Sequence, residues 1–490
     1  MGVATEPEVA RRRLRAGVEA DHHQYRWWAL SCTSLGMLLA ALNSGTLIIA
    51  LPDLERALGT SLLTLVWVIL AYMIASTVLV VTAGRLSDLF GRKTAYVGGF
   101  LLFAAASFGA GFAGDGTQLI IWRVVQGVGG AFLFANASAI VTDAFPREQL
   151  GVAMGTNTMV AAVGLVLGPV LGGALVAISW HWVFWFNVPV ALLGSAWAAA
   201  VLRDLARPDA VRGLDLPGGV VFVIGLTGLT LGISKGGLTG WSSPVVIGGL
   251  LAGAVLLPLF VVIERHGRAP MLDLKIFRDR LFAAATAAAF INGLARFALM
   301  FVFVFYFQGA QGDGAVEAGI KLAPLAIGML VFAPIAGVWA DRHGSRLLSA
   351  GGMGLTAAGL AAMTTLQAQT PYWQSALWLA LVGIGSGLFN SPNTAAMMGA
   401  VPAHRRGVAA ATRTLAQNTG AVISIAFVMA LVTNGIDKTT LFKIFSGITS
   451  GLSQATLDPF IANMHTALWV LAATSLIGVI VCAMRPSHRA

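Results

Sequence analysis

Gly84-Arg85-Leu86-Ser87-Asp88-Leu89-Phe90-Gly91-Arg92-Lys93 separates two apolar stretches, 61–83 and 95–113, each about as long as the ~20 residues a helix needs to cross a bilayer. Glycines at both ends permit a tight turn, while Asp88 can accept hydrogen bonds or face the positive end of a neighbouring helix. Arg92 and Lys93 are placed to stay at an anionic lipid surface. A weaker copy follows the tenth apolar stretch as Gly337, Asp341, Arg342, Gly344 and Arg346. One charged loop at corresponding places in two halves marks an internally duplicated membrane protein. Gly84, Asp88, Gly91, Arg92, Asp341 and Arg342 are therefore expected to form a latch that holds one conformation.

On both sides of this loop the chain stays apolar. Of 490 residues 57% are hydrophobic and 11% charged, against roughly 25% charged in soluble domains. Spans are predicted near 28–51, 61–83, 95–113, 118–142, 152–178, 182–202, 217–235, 244–263, 281–308, 316–339, 347–366, 374–398, 407–433 and 465–484. The first 26 residues are polar and carry Arg11, Arg12, Arg13 and Arg15, so the first span is expected to be retained rather than cleaved as a signal. Cys32 and Cys482 both fall inside spans near opposite ends and build neither a disulfide framework nor a metal site. The spans also lack the convergent His, Cys, Asp or Glu groups that membrane enzyme chemistry needs, and no cofactor is expected.

The net charge of +10 follows topology and gives no reason to expect nucleic acid as a partner. With the N-terminus inside, 23 Lys and Arg fall in cytoplasmic segments and five (Arg56, Lys235, Lys321, Lys438, Lys443) in external ones, the asymmetry the positive-inside rule requires. Both termini are thus expected in the cytoplasm of a bacterial cell, with the chain in its inner membrane. Trp27, Trp28, Trp180, Trp182, Trp241, Tyr372 and Trp373 stand at span boundaries as interfacial anchors. The external segment 434–463 carries an apolar patch around 441–448 that can form a short interfacial helix.

Three basic residues lie within spans: Arg123, Arg296 and Arg413. On insertion scales each costs at least about 2.5–3.5 kcal/mol in lipid and should face protein or water. Arg296, near the middle of the ninth span, has no buried acid to pair with and is expected to face a substrate. Arg413, about two turns from a span end, is expected to snorkel towards the surface. Asn43, Tyr72, Gln126, Asn292, Asn390 and Gln417 join Arg123 and Arg296 as candidate cavity residues, being costly to bury without partners. The run Phe297, Phe301, Phe303, Phe305 and Phe307 is expected to pack or face lipid, because a 3.6-residue period distributes it round the helix. In the fifth span Gly164, Gly168, Pro169, Gly172 and Gly173 allow close, bendable packing and form a candidate hinge.

These stretches carry a family resemblance. The loop 84–93 resembles motif A of the major facilitator superfamily, and Trp122-Arg123-Val124-Val125-Gln126-Gly127-Val128-Gly129 resembles its motif B. Gly164-Leu165-Val166-Leu167-Gly168-Pro169-Val170-Leu171-Gly172-Gly173 is similar to motif C of drug antiporters. Trp180–Pro189 and the segment Pro270-Met271-Leu272-Asp273-Leu274-Lys275-Ile276-Phe277 resemble the fourteen-helix drug:proton antiporter branch. The resemblance implies an all-α membrane fold with a cytoplasmic tail at 1–27, six-helix bundles at 28–202 and 281–484, two extra helices within 203–280, and a tail at 485–490. It further implies alternating access by a monomer that exports small amphipathic molecules in exchange for protons.

One position departs from the family. Where its first helix usually carries aspartate, this chain has Leu42-Asn43-Ser44-Gly45-Thr46-Leu47-Ile48. Asn43 cannot take up a proton, and no acid or histidine stands near a span centre to replace it. Two transport readings stay open: an exporter of amphipathic molecules, and a proton-independent facilitator or exchanger of neutral or anionic ones.

Overall fold

The computed structural model describes residues 6–146, 149–203, 216–267, 270, 274–401, 406–436, 438–445 and 454–486; among them there is no strand. Long apolar runs leave backbone groups to bond within their own segment, which in hydrocarbon favours helices. The chain begins with α1 (Glu6–Leu58), α2 (Leu62–Phe90), α3 (Arg92–Ala110), α4 (Gly116–Ala144) and α5 (Leu150–Ile178). Short polar side chains fix starts: Ser61 accepts from the Thr64 amide at 3.3 Å and Asp115 from that of Gln118 at 2.8 Å. The sixth expected span is broken into α6 (Trp182–Trp185) and α7 (Asn187–Val201). At the break Asn187 Nδ2 donates to the Val183 and Phe184 carbonyls at 3.2 and 3.3 Å.

Next come α8 (Leu216–Thr239), α9 (Pro244–His266) and α10 (Arg280–Phe305), whose start Asp279 caps by accepting from the Phe282 amide at 2.8 Å. A π-helical turn, Tyr306–Ala310, closes α10. The tenth expected span is the short α11 (Ala315–Lys321) and α12 (Ala323–His343), with Pro324 tolerated in the first turn of the latter. The chain then runs through α13 (Ser345–Met363), α14 (Tyr372–Gly399), α15 (Arg406–Val432), α16 (Lys438–Phe445) and α17 (Gln454–Ala483). All fourteen expected spans coincide with helix, and ten are long and apolar enough to cross a membrane. Of the other four, α3, α13 and α14 are diluted by glycine, alanine and small polar residues, whereas α5 is as apolar as any of the ten and is broken by side chains outside the described ones.

Several boundaries move. The first helix starts at Glu6 rather than 28, because Arg, Leu, Ala and Glu before the apolar run are good helix formers. The last starts at Gln454 rather than 465 and carries Pro459 inside it. The expected short helix in 434–463 is α16, with Leu441 and Ile444 buried; residues 446–448 of its patch lie outside the described ones. Gly84 is not a turn residue. The helix α2 continues six residues past it, steadied where Ser87 Oγ donates to the Ala83 carbonyl at 2.6 Å and accepts from Asn136 Nδ2 at 2.8 Å. The turn is made by Gly91 alone, at φ 91°, and the copied loop turns at Gly344, at φ 85°. Only glycine adopts such backbone readily, so the repeated motif is a one-residue link between two helices.

The same neighbour pattern occurs twice. α1 packs on α5 and α7, α2 on α4, and α3 on α4 and α7; likewise α10 packs on α15 and α17, α12 on α14, and α13 on α14 and α17. Contacts of α5 with α12 and of α2 with α15 join the two sets. The pair α8 and α9 packs against itself and rests on α2 and α15.

Candidate functional site

Between the two sets lies a cavity in two connected parts that share Ser44, Tyr72, Met73, Arg296 and Phe297. The larger part spans about 1130 Å³, some of it open to solvent, and extends towards the end that holds both chain termini through Met37, Ser138 and Thr414. The other part is narrower and apolar, walled by Leu47, Ile69, Phe301, Leu325 and Ile425. Among the described residues no carboxylate lines either part.

Arg123 stands at the wall and is fully committed to protein. Its Nε donates to the Val68 carbonyl at 3.0 Å, and its Nη1 donates to Asn43 Oδ1 at 3.2 Å and to Gln126 Oε1. The guanidinium lies 4.4 Å from the centre of the Tyr72 ring. Gln126 Nε2 in turn donates to Asn43 Oδ1 at 3.2 Å and to Ser107 Oγ at 2.7 Å. Asn43, where the family usually has an acid, therefore accepts from two donors at once. It sits behind Arg123 and Gln126 rather than on the cavity surface.

Arg296 is bonded differently. One nitrogen reaches only Met329 Sδ at 3.8 Å, Nε is buried without a partner, and the Phe297 ring centre is 4.4 Å away. Of the remaining expected residues, Asn390 and Gln417 line the larger part, with Gln417 Nε2 donating to Asn390 Oδ1 at 3.3 Å. Asn292 does not line it. One turn earlier on α10, it is turned towards α13, where Nδ2 meets Met353 Sδ at 3.6 Å.

Two expectations are overturned. Arg413 does not run to the surface: α15 turns it into the cavity, where it makes no hydrogen bond or ion pair with a described residue. The signal was present in the sequence, because Arg413 stands four residues from Gln417 and shares its helix face. Nor are all the phenylalanines given over to packing: Phe301, Phe303, Phe305 and Phe307 are buried, Phe301 with an edge on the narrower part, while Phe297 is half-buried and lines both parts of the cavity.

The hinge glycines lie where α5 meets other helices. A Cβ on Gly164 would fall 2.7 Å from that of Ala41, one on Gly168 2.9 Å from the Gly45 Cα, and one on Gly172 2.8 Å from the Thr46 Cα, all on α1. On the opposite side Gly173 abuts Val316, and Pro169 abuts Gly319. These contacts with α11 bring the two helix sets together at the end away from the termini.

At the other end lie the residues expected to form a latch. The side chains of Asp88 and Asp341 lie outside the described ones, and Arg342 is exposed. Arg92 is not left at the lipid surface; it pairs with Asp143 and donates to the Ala139 carbonyl at 3.2 Å, tying the start of α3 to the end of α4. A pair so near the surface is worth about 1 kcal/mol or less. Asp143→Asn is accordingly expected to leave the melting temperature within a degree or two while changing the transport rate by about two- to fivefold. Arg92→Gln should match it, and the double variant should be no worse. Additive losses in the double variant would show that the two side chains act separately.

A model of the Major Facilitator Superfamily matches residues 33–425 and, in a second match, 285–489. The chain belongs to the major facilitator superfamily. The overlapping matches agree with the doubled packing pattern. A tetracenomycin C resistance and export protein of Streptomyces glaucescens is 30% identical, over 84% of this chain and 76% of that protein. A puromycin resistance protein of Streptomyces alboniger is 31% identical, over 88% of this chain and 86% of that one. A solved proton:xylose symporter superposes with a TM-score of 0.67 at 14% identity, covering 96% of this chain and 97% of that one; this likeness concerns the fold alone. As a major facilitator, the chain is a multi-pass membrane transport protein and not an enzyme.

Proposed function

We propose that the protein is a secondary exporter of small amphipathic organic molecules that works by alternating access. The observation that carries this reading is the cavity between the two helix sets. The two sets meet at one end through α5 and α11, the cavity widens towards the other, and its walls combine apolar side chains with a few polar groups. The names of the Streptomyces relatives support export as the direction. In this reading residues 28–202 and 281–484 rock against each other, with 203–280 linking them. The excess of basic residues in the segments on the side of the termini supports an orientation with both termini in the cytoplasm and the wider end of the cavity inward, in a bacterial inner membrane; the working unit in this reading is a monomer.

A second reading, transport without proton coupling, is favoured by one specific observation: Asn43 holds the position of the family's acid, and among the described residues no carboxylate lines the cavity. Proteoliposomes with independently imposed pH and electrical gradients separate the two. The matched probes are 2-naphthoate, 2-naphthamide and 2-naphthyltrimethylammonium. Wild-type efflux is expected to be indifferent to the pH gradient. Asn43→Asp is expected to acquire dependence on it, because Arg123 and Gln126 already donate to that position. Proton-driven efflux by the wild type would discard the uncoupled reading, and no flux of any probe would discard the exporter.

A further inference from the structure

The three arginines within the membrane differ in what they are bonded to, and the difference assigns them different tasks. Arg123 has its nitrogens on a carbonyl and two side-chain amides, which is how a protein accommodates a guanidinium it means to keep. Arg296 and Arg413 are not accommodated in this way. Both open on the larger part of the cavity, on facing helices, α10 and α15, that pack together. Arg296 keeps a buried Nε without an acceptor and a thioether as its sole hydrogen-bond partner, and Arg413 has no described partner at all. They line one and the same space. Two like charges in a space with apolar walls, and without a carboxylate among the described residues to offset them, are an arrangement that the free protein holds at a cost.

We propose that Arg296 and Arg413 together form a seat for a single anionic group, and that the transported substrate is an amphipathic organic anion: a carboxylate, sulfonate or phosphate on an aromatic or alicyclic body. This rests on the reading of the cavity as the transport site. A guanidinium offers a planar fork of N–H donors that matches such oxyanions, and two forks from different helices can hold one group between them. Phe297, flat against the Arg296 guanidinium, limits its swing. The apolar body has its place in the narrower part, against Met300, Phe301, Leu325 and Ile425. Asn390, Gln417 and Asn418 beside the seat are neutral and neither add nor cancel charge. Among the described residues every charged side chain lining the cavity is positive, so a lipophilic cation is disfavoured there.

The test is binding of the three naphthyl probes to purified wild type in nanodiscs of phosphatidylcholine. The expected order is 2-naphthoate over 2-naphthamide by about tenfold or more, the size of one charge-assisted contact, with 2-naphthyltrimethylammonium weakest. Arg296→Gln and Arg413→Gln should each weaken naphthoate by about tenfold or more and naphthamide by much less, so that the preference for the anion is lost. A purely structural role for either arginine would weaken both probes together. Inorganic phosphate should compete poorly because it lacks the apolar body. Nanodiscs containing phosphatidylglycerol should bind naphthoate equally well; competition by that lipid would make an acidic headgroup the occupant and overturn the proposal. It is overturned equally by the wild type failing to bind naphthoate, or binding it no better than the cation, and these readings require no variant to fold. The exporter reading fails separately: naphthoate binding with the expected arginine dependence, but no flux of any probe, would leave the seat standing and remove the transport role.

Discussion

Arg123→Leu is expected to lower the melting temperature markedly and to leave little transport. Two effects oppose each other. Removing a charge from the membrane interior relieves about 2.5–3.5 kcal/mol. Against this, the Val68 carbonyl, Asn43 Oδ1 and Gln126 Oε1 all lose a charged donor, each loss being worth about 1.5–3 kcal/mol. The second effect wins by about 1–6 kcal/mol. Asn43 Oδ1 keeps the Gln126 Nε2 donor, so the acceptor left without its side-chain donor is Gln126 Oε1. A variant that melts and transports like the wild type would show that the network is not what holds α1, α2 and α4 in place around the cavity.

Gly168→Leu is expected to abolish transport. A Cβ at this position lies 2.9 Å from the Gly45 Cα and 3.3 Å from the Leu42 carbonyl oxygen. Both obstacles are backbone on α1, so no side chain can swing aside. The helices must separate, and overpacking of this kind typically costs about 1–3 kcal/mol even where the neighbours yield. Gly168→Ala should retain a measurable fraction of the wild-type rate, since a shift of a few tenths of an ångström accommodates it. Equal activity of the alanine and leucine variants, measured per folded molecule, would rule out close approach of α1 and α5 as a requirement.

Much of the fold was legible because hydropathy and charge specify depth. Each apolar run became a helix, and the charged loop at 84–93 reappeared in the second half with the same one-glycine turn. What hydropathy does not specify is which side of a helix meets protein, because lipid and protein interior are equally apolar. This is why hydropathy alone points Arg413 towards the surface and Phe297 towards packing, although the four-residue spacing of Arg413 to Gln417 marks their shared face. Asn292 shows the reverse. Its polarity and its place one turn from Arg296 pointed to the cavity, but the side chain meets α13 instead. Pairings between distant segments, such as Arg92 with Asp143, leave no trace in local sequence.

The one-residue links at Gly91 and Gly344 bear on how movement is shared out. With a single residue between them, α2 and α3 cannot turn independently, and neither can α12 and α13. Each pair behaves as a stiff elbow that converts a tilt of one arm into a swing of the other. Any slack needed for the two halves to change their mutual angle must be taken up elsewhere in the chain, and a longer insertion at either glycine would uncouple the arms without altering a single residue of the cavity.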